Sequence, residues 1–217
     1  MTENEQMSND FPDVSENKQS NKFFSFVMIL MVAMLVFVVY INNNYKIVEV
    51  SGGSMLPTLE SGDVLFMSNV EYDEYGGIST ENGDIIVIQD EKIDSKGESQ
   101  LLIKRQIAKG QKDRKVIVEI KDDGNVYIDD EMLKEEYLGC EGITDYKEGK
   151  NRWELKENEI FYLGDNRKDS MDSRYIEYDT CETSQVVGVV EQKAVLYKGI
   201  SKAIYNLSNF IKGIFNN

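Results

Sequence analysis

The sequence contains no histidine, two cysteines and two prolines among 217 residues, and its formal net charge is −15. Without histidine, a Ser-His-Asp triad is excluded, and so are metal sites built on imidazole. Two cysteines cannot close a tetrahedral zinc site unless carboxylates complete it. The excess of acidic residues argues against nucleic-acid binding, since phosphate contacts need clustered lysine and arginine. Any acid–base chemistry must therefore use lysine, aspartate, glutamate, tyrosine or cysteine.

An uncharged stretch from Phe23 to Ile41 dominates the N-terminal part of the chain. As a helix it would be about 28 Å long at ~1.5 Å per residue, close to the ~30 Å hydrocarbon core of a bilayer. The polar sequence NNNYK follows directly, where a cleaved signal peptide would show a small-x-small site. Residues 23–41 are therefore predicted to be a single-pass transmembrane anchor.

The flanks of this anchor predict its orientation. Lys18 and Lys22 lie at one end and Lys46 at the other, so the positive-inside rule favours a cytoplasmic N-terminus by a single charge. Residues 1–22 are polar and are predicted to form a disordered cytoplasmic tail. Residues 45–195 would then form an extracytoplasmic domain at the cell membrane. There Cys140 and Cys181 either form a disulfide or remain two free buried thiols.

Short apolar runs between Gly, Asp and Asn recur through residues 45–195, a spacing typical of an all-β domain. The fold class is predicted to be mainly β, with antiparallel β-sheets. The segment VIVEIKDDGNVYID predicts a hairpin around its Asp-Asp-Gly-Asn turn, and about 129–155 a small β insertion. The runs predicted as strands are Ile47–Val50, Val64–Met67, Ile85–Ile88, Leu101–Ile107, Val116–Ile120, Val126–Ile128, Glu159–Leu163 and Val186–Val190.

Residues 196–217 have a different periodicity. Apolar residues recur there at three- and four-residue spacings, while Lys198, Lys202 and Lys212 lie off that stripe. The pattern predicts a basic amphipathic helix. Two placements remain open for it, the membrane interface beside the anchor or the domain's own core.

Two serines lie in the turn sequence SGGSMLPTL, which runs from Ser51 to Leu59. A serine hydroxyl is a weak nucleophile unless a base takes its proton, and without histidine a neutral lysine is the usual substitute. An unperturbed lysine has a pKa of about 10.4, so the base must be buried among apolar residues, which disfavours its charged form. Lys104 meets this requirement in QLLIKRQIA. A lysine that reaches water from a strand end is the plainer alternative.

A third motif, GDNRKDSMDSR, follows the predicted strand EIFYL and runs from Gly164 to Arg174. Its glycine, asparagine and serines are ordinary turn residues. As part of a site, it would supply a hydroxyl to orient the lysine. Asp172 and Arg174, two residues apart, would form an ion pair that fixes the loop.

Taken in order after one anchor, the motifs SGGSMLPTL, NGDIIVI, IKRQIA and GDNRKDSMDSR resemble the bacterial type I signal peptidase family. These are membrane-bound serine/lysine proteases that remove signal peptides from exported proteins. The resemblance spans nearly all of residues 23–195 and implies that family's catalytic β domain. It implies that Ser54 is the nucleophile and Lys104 the general base.

The third motif is implied to support this dyad. Ser170 matches the hydroxyl that hydrogen-bonds the lysine, and Asp172 and Arg174 match a supporting ion pair. Gly164 begins the same loop and is counted with them.

The resemblance also implies how the substrate is held. Val50 and Ile103 match positions that line shallow pockets for small side chains before the cleavage site, and Met55 and Leu102 are assigned to the same pocket. The peptide is expected to bind extended, as a strand added to an exposed edge.

The oxyanion hole is expected to include the backbone N–H of Ser54, which stabilises charge on the scissile carbonyl. Some family members also place a serine two residues before the nucleophile, where this chain has Gly52. A backbone N–H or Ser51 would then be the second donor. After the lysine, AKGQKD replaces the Gly-Pro-Gly-Asp turn of many members.

The sequence thus predicts a membrane-anchored endopeptidase that cleaves at small-x-small sites in preproteins emerging from the export machinery. The lipid bilayer is its other partner, and no cofactor, metal or nucleic acid is expected. A catalytically inactive membrane-tethered binding or assembly protein of the same fold is the alternative. Both a general and a dedicated set of substrates remain open.

Overall fold

The chain divides into two units, a long helix α1 (Val14–Asn44) and a unit that begins at Tyr45. The computed structural model describes residues 14–68, 78–93, 99–138 and 143–190. Within α1, the 20 residues Asn21–Tyr40 are long and apolar enough to cross a membrane, and none of them is buried in the structure. This stretch closely matches the predicted anchor of residues 23–41.

The helix begins earlier than the sequence predicts. Residues 14–22, predicted to be disordered, belong to α1. Extending an existing helix adds one hydrogen bond for each residue fixed, and Glu16, Lys18 and Gln19 are good helix formers. The predicted disorder is therefore corrected to helix for residues 14–22, whereas residues 1–13 lie outside the described part of the chain.

The eight apolar runs predicted as strands lie on strands of the structure, except that Val50 follows the end of β1 at Glu49, so the prediction of a mainly β fold is confirmed. The strands are β1 (Tyr45–Glu49), β2 (Val64–Ser68), β3 (Ile85–Ile93), β4 (Ser99–Lys109), β5 (Val116–Ile120), β6 (Val126–Ile128), β7 (Glu131–Met132), β8 (Arg152–Leu155), β9 (Glu159–Leu163), β10 (Cys181–Glu182) and β11 (Val186–Val190).

Seven of these strands form one antiparallel sheet in the order β1-β2-β11-β3-β4-β9-β10. The near-continuous apolar run of β3 follows from burial on both faces of the sheet. Ile85 and Val87 pack in one apolar cluster, while Ile86 and Ile88 pack in another. In β4, the neighbour of β3, Lys104 lies opposite Ile86, so the lysine is placed near the middle of a sheet covered on both sides.

A second antiparallel sheet has the order β7-β6-β5-β8 and contains the predicted hairpin, in which Val118 pairs with Ile128. The insertion predicted at 129–155 therefore starts earlier, at Val116, because β5 and β6 pair with its strands. A third apolar cluster joins the two sheets, with the rings of Trp153 and Phe161 4.6 Å apart.

Two predictions fall partly or wholly outside the described part of the chain. The C-terminal helix at residues 196–217 lies outside the described residues, and so does Cys140. Cys181 is a free thiol buried in the cluster that contains Ile86. Burial raises the pKa of the Cys181 thiol to about 12, so this thiol is protonated at neutral pH.

Candidate active site

The Ser54 turn, residues 51–59, connects β1 to β2. Met55 and Leu59, four residues apart, are buried in one apolar cluster, and the Leu59 N–H donates to the Met55 carbonyl at 2.9 Å. These anchors hold the turn against the sheet and leave Ser54 half-buried. The chain enters the turn through Gly52, whose φ of +89° strains residues that carry a side chain.

Lys104 reaches the Ser54 turn from β4. Its Nζ lies 3.0 Å from Ser54 Oγ and 3.2 Å from the Ile103 carbonyl, to which it donates. The residue is 4% exposed. Burial lowers the pKa of Lys104, while the negative charge of Asp172 opposes that shift. The structure thus brings together the two residues predicted as nucleophile and base, in a setting that favours the neutral amine.

The 164–174 loop follows β9 and is fixed by the predicted ion pair. Arg174 donates through Nε to Asp172 Oδ1 at 2.7 Å and through Nη2 to Oδ2 at 3.0 Å, and both side chains are fully buried. Asp172 Oδ2 also accepts the Gly164 N–H at 3.0 Å. The ion pair therefore closes the loop back onto its first residue.

The same loop is tied to the Ser54 turn by an asparagine that the sequence reasoning did not single out. The Asn166 backbone N–H donates to the Ser54 carbonyl, and its side-chain amide donates to the Gly53 carbonyl, both at 2.9 Å. Gly164 packs against the same place, since a Cβ added there would lie 2.4 Å from the Ser54 carbonyl oxygen. The only sequence feature that pointed to Asn166 was the position of this residue within the third motif.

The predicted hydrogen bond between Ser170 and Lys104 is not made. Ser170 is 5% exposed, and its Oγ has no hydrogen-bond partner within the described part of the chain. The hydroxyl instead lies beside Gly164, 2.2 Å from where a Cβ there would stand. The hydrogen bonds of Lys104 Nζ go to Ser54 and to the Ile103 carbonyl, which is why the lysine is oriented without Ser170.

Three of the four predicted pocket residues lie together. Val50 and Met55 are buried in one apolar cluster, and Ile103 packs against it. Leu102 does not join them, because strand alternation places it opposite Ile88 and against the cluster on the other face of the sheet. Leu102 is therefore separated from the predicted pocket.

The predicted oxyanion residues Ser51 and Gly52 are exposed at the start of the turn. A Cβ at Gly52 would meet no atom within 4 Å, so conformational strain rather than space disfavours a side chain there. The Ser54 backbone N–H stays the principal predicted donor.

A buried ion pair that the sequence analysis did not predict joins three segments of the site. Arg105 donates to Asp165 Oδ1 through Nε at 2.8 Å and to the Gly83 carbonyl at 2.6 Å. The Thr58 hydroxyl donates to Asp165 Oδ2 at 2.5 Å. The pair links β4, the 164–174 loop and the Ser54 turn. The one sequence feature that pointed to it was the placement of Arg105 beside Lys104 in an apolar strand.

Among the described residues, no group of three Cys, Asp or Glu side chains is arranged to hold a metal ion.

The chain is similar in sequence to the following protein family, bacterial relatives and solved structure. The chain matches the family described as "Signal peptidase, peptidase S26" over residues 21–197. Signal peptidase I from Bacillus amyloliquefaciens is 29% identical over 168 residues, which cover 74% of this chain and 79% of the relative. Signal peptidase I U from Bacillus subtilis (strain 168) is 32% identical over 166 residues, which cover 73% and 80%. A crystal structure of a signal peptidase I from Enterococcus faecalis V583 is 28% identical, with a TM-score of 0.39 over 52% of this chain and 97% of that chain.

Proposed function

Because this chain belongs to the signal peptidase family, peptidase S26, and to its bacterial type I members, we propose that it is a membrane-anchored serine endopeptidase acting through a Ser54–Lys104 dyad. It removes signal peptides from exported preproteins after small-x-small sequences. The observation that carries this assignment is the 3.0 Å separation of Lys104 Nζ and Ser54 Oγ, with the lysine buried in a chain that has no histidine.

The proposed reaction begins with proton transfer from Ser54 Oγ to the neutral Lys104 amine. The oxygen attacks the scissile carbonyl, and the Ser54 backbone N–H stabilises the oxyanion. Protonated Lys104 then gives its proton to the departing amine of the mature protein, and the signal peptide stays bound to Ser54 as an ester. Lys104 next takes a proton from water, which attacks the ester carbonyl. The bond to Ser54 Oγ then breaks, Lys104 returns the proton to Oγ, and the signal peptide is released as an acid.

The charge of Asp172 has a defined part in this proposal. Burial alone lowers the pKa of Lys104, and the carboxylate raises it again, which keeps the amine basic enough to accept a proton. The loop that carries Asp172 is also tied to the Ser54 turn through Asn166 and Gly164. The loop thereby acts on both members of the dyad, on Lys104 by charge and on Ser54 by contact.

Substrate placement follows from the edge of the seven-stranded sheet. β1 is an edge strand and leads through Val50 into the Ser54 turn. An extended peptide paired with such an edge would direct alternate side chains toward the apolar cluster of Val50, Met55 and Ile103. Val50 and Met55 are buried in that cluster and Ile103 is half-buried, so a substrate side chain would meet Ile103 at the surface, a shallow contact that suits the small residues before the cleavage site.

The proposed topology places α1 across the cell membrane with its N-terminus in the cytoplasm. The unit from Tyr45 onward then faces the outer side, where preproteins emerge. The 20-residue apolar stretch of α1 supports the membrane span, and the two lysines Lys18 and Lys22 at its N-terminal flank, against Lys46 alone at the other, support the orientation.

Purified full-length protein in detergent, incubated with a preprotein that carries Ala-x-Ala before its mature start, tests the proposal. Cleavage after the last alanine is expected, read from the mass of the mature product. Ser54→Ala and Lys104→Ala are expected to abolish cleavage while the protein remains folded. Cleavage at the wild-type rate by either variant would refute the assigned dyad.

A further inference from the structure

The 164–174 loop is held from the second sheet by side chains that the proposed reaction does not use. Glu135 follows β7 and accepts two hydrogen bonds from Arg167, with Nη1 at 3.0 Å from Oε2 and Nη2 in contact with Oε1. The Arg167 side chain is 0% exposed and that of Glu135 is 8% exposed. Arg167 Nη1 also donates to the Thr144 hydroxyl, which lies between β7 and β8.

Arg167 also contacts the part of the 164–174 loop that lies against Ser54. Its Nε donates to the Gly164 carbonyl at 3.1 Å, and its own carbonyl accepts from Arg174 Nη1 at 2.8 Å. Gly164 is the residue that packs directly against the Ser54 carbonyl. A continuous set of contacts therefore runs from Glu135 through Arg167 and Gly164 to Ser54.

Tyr137 extends the same arrangement to β4. Its hydroxyl donates to Glu135 Oε1 at 2.7 Å, and the Arg105 guanidinium lies 3.8 Å from the centre of its ring. Arg105 adjoins Lys104 in the chain and is paired with Asp165. One short segment thus contacts an arginine on the loop and an arginine beside the lysine.

We propose that Glu135 and Tyr137, here named the second-sheet clamp, are positioning residues that fix Ser54 Oγ relative to Lys104 Nζ. The inference rests on the proposed function. A bidentate pair between a planar guanidinium and a carboxylate defines direction as well as distance. A buried ion pair of this kind adds little net stability compared with apolar residues of similar size, so its contribution here is geometric.

Glu135→Gln tests the clamp because it keeps the size of the side chain and removes its charge. With full-length protein in detergent and the Ala-x-Ala preprotein, kcat is expected to fall about tenfold or more, since small misplacements of reacting groups are costly. KM is expected to stay within about threefold, because the apolar cluster of Val50 and Ile103 is untouched.

Glu154→Gln is the matched control. It makes the same substitution on β8 of the second sheet, but Glu154 is 55% exposed and pairs with Lys115 at the surface. Wild-type kcat and KM are expected for it. Tyr137→Phe keeps the ring beside Arg105 and removes the hydroxyl from Glu135. It is expected to lower kcat by a smaller factor than Glu135→Gln, and an unchanged kcat would remove Tyr137 from the clamp.

The double variant Glu135→Leu/Arg167→Met separates positioning from stability. Replacing both partners removes the charge that a single substitution would leave buried and unpaired. Since the Gly164 carbonyl and the Thr144 and Tyr137 hydroxyls also lose a hydrogen-bond partner, some loss of Tm is expected, and kcat is compared well below the Tm of each protein. The kcat of the double variant is expected to remain about tenfold low, because the Gly164 carbonyl has lost its donor. A wild-type kcat in this variant, or in a folded Glu135→Gln, would overturn the clamp.

The outcomes for the two proposals differ. Wild-type cleavage that Ser54→Ala abolishes supports the dyad whatever the clamp variants do. Unchanged kcat in the clamp variants then overturns the clamp alone. Failure of the wild type to cleave overturns the proposed function and the clamp with it.

Discussion

Replacing Gly164 with alanine tests how closely the 164–174 loop fits against the Ser54 turn. A Cβ there would lie 2.4 Å from the Ser54 carbonyl oxygen and 2.5 Å from Ser170 Cβ, whereas ordinary contacts begin at 3.4 Å. The turn or the loop must therefore move by about 1 Å. A displacement of that size at reacting groups costs about 100-fold in rate, or ~2.7 kcal/mol of transition-state stabilisation.

The assay is kcat/KM for preprotein cleavage, measured well below the Tm of each variant. Overpacking itself is expected to cost ~1–3 kcal/mol of the free energy of unfolding, so activity must be compared among folded proteins. Gly110→Ala is the control. A Cβ there would lie 1.8 Å from the Lys156 carbonyl oxygen, a similar clash next to the hairpin that joins β8 to β9.

Gly110→Ala is expected to lose stability and keep kcat/KM. A Gly164→Ala protein with wild-type kcat/KM would refute the argument from close approach. An equal loss of activity in Gly110→Ala would show that overpacking anywhere in this unit lowers the rate.

Three further predictions use the same detergent-purified protein. The cleavage rate is expected to rise with pH as Lys104 loses its proton. Because the Asp172 carboxylate raises the pKa of Lys104, Asp172→Asn is expected to move that rise to lower pH. A rise moved to higher pH would contradict this. Arg105→Met leaves Asp165 buried without its cation and is expected to lower the free energy of unfolding in urea by ~3–5 kcal/mol. Arg152→Met, whose pair with Glu119 is solvent-exposed, is expected to lower it by only ~0–1 kcal/mol, and equal losses in the two variants would refute the distinction. Asp130 has a φ of +67° in the two-residue turn between β6 and β7, a conformation that favours glycine. Asp130→Gly is therefore expected to stabilise the protein by up to ~1 kcal/mol, and a lower Tm of this variant would contradict that expectation.

The strands were predictable where local sequence decides them. β5 alternates buried and half-buried residues, and the four apolar residues at the start of β3 reflect burial on both faces. β8 and β10 gave too little signal, since Arg152–Leu155 has two apolar residues and Cys181–Glu182 is a two-residue strand. These strands form because distant partners are present, which local periodicity does not encode.

The same distinction applies to the site. The absence of histidine restricts the base to few residue types, and the apolar sequence around Lys104 made that lysine a candidate, but the assignment of Ser54 and Lys104 as a dyad came from the family resemblance. The Arg105–Asp165 and Glu135–Arg167 pairs join residues 60 and 32 positions apart, so they depend on sheet order. The Ser170 hydroxyl makes no hydrogen bond to its predicted partner and lies beside Gly164, a packing contact that the motif alone does not specify.

Titration of Lys104 tests the central claim most directly. In protein labelled with 13C at the lysine ε-carbons, the Lys104 signal is identified by its absence in Lys104→Met and followed by NMR across pH. Its pKa is expected to lie below the ordinary lysine value and to coincide with the pH at which kcat/KM rises. A Lys104 that titrates at or above the ordinary lysine value, or a rate that rises at a different pH, would contradict the Ser54–Lys104 dyad.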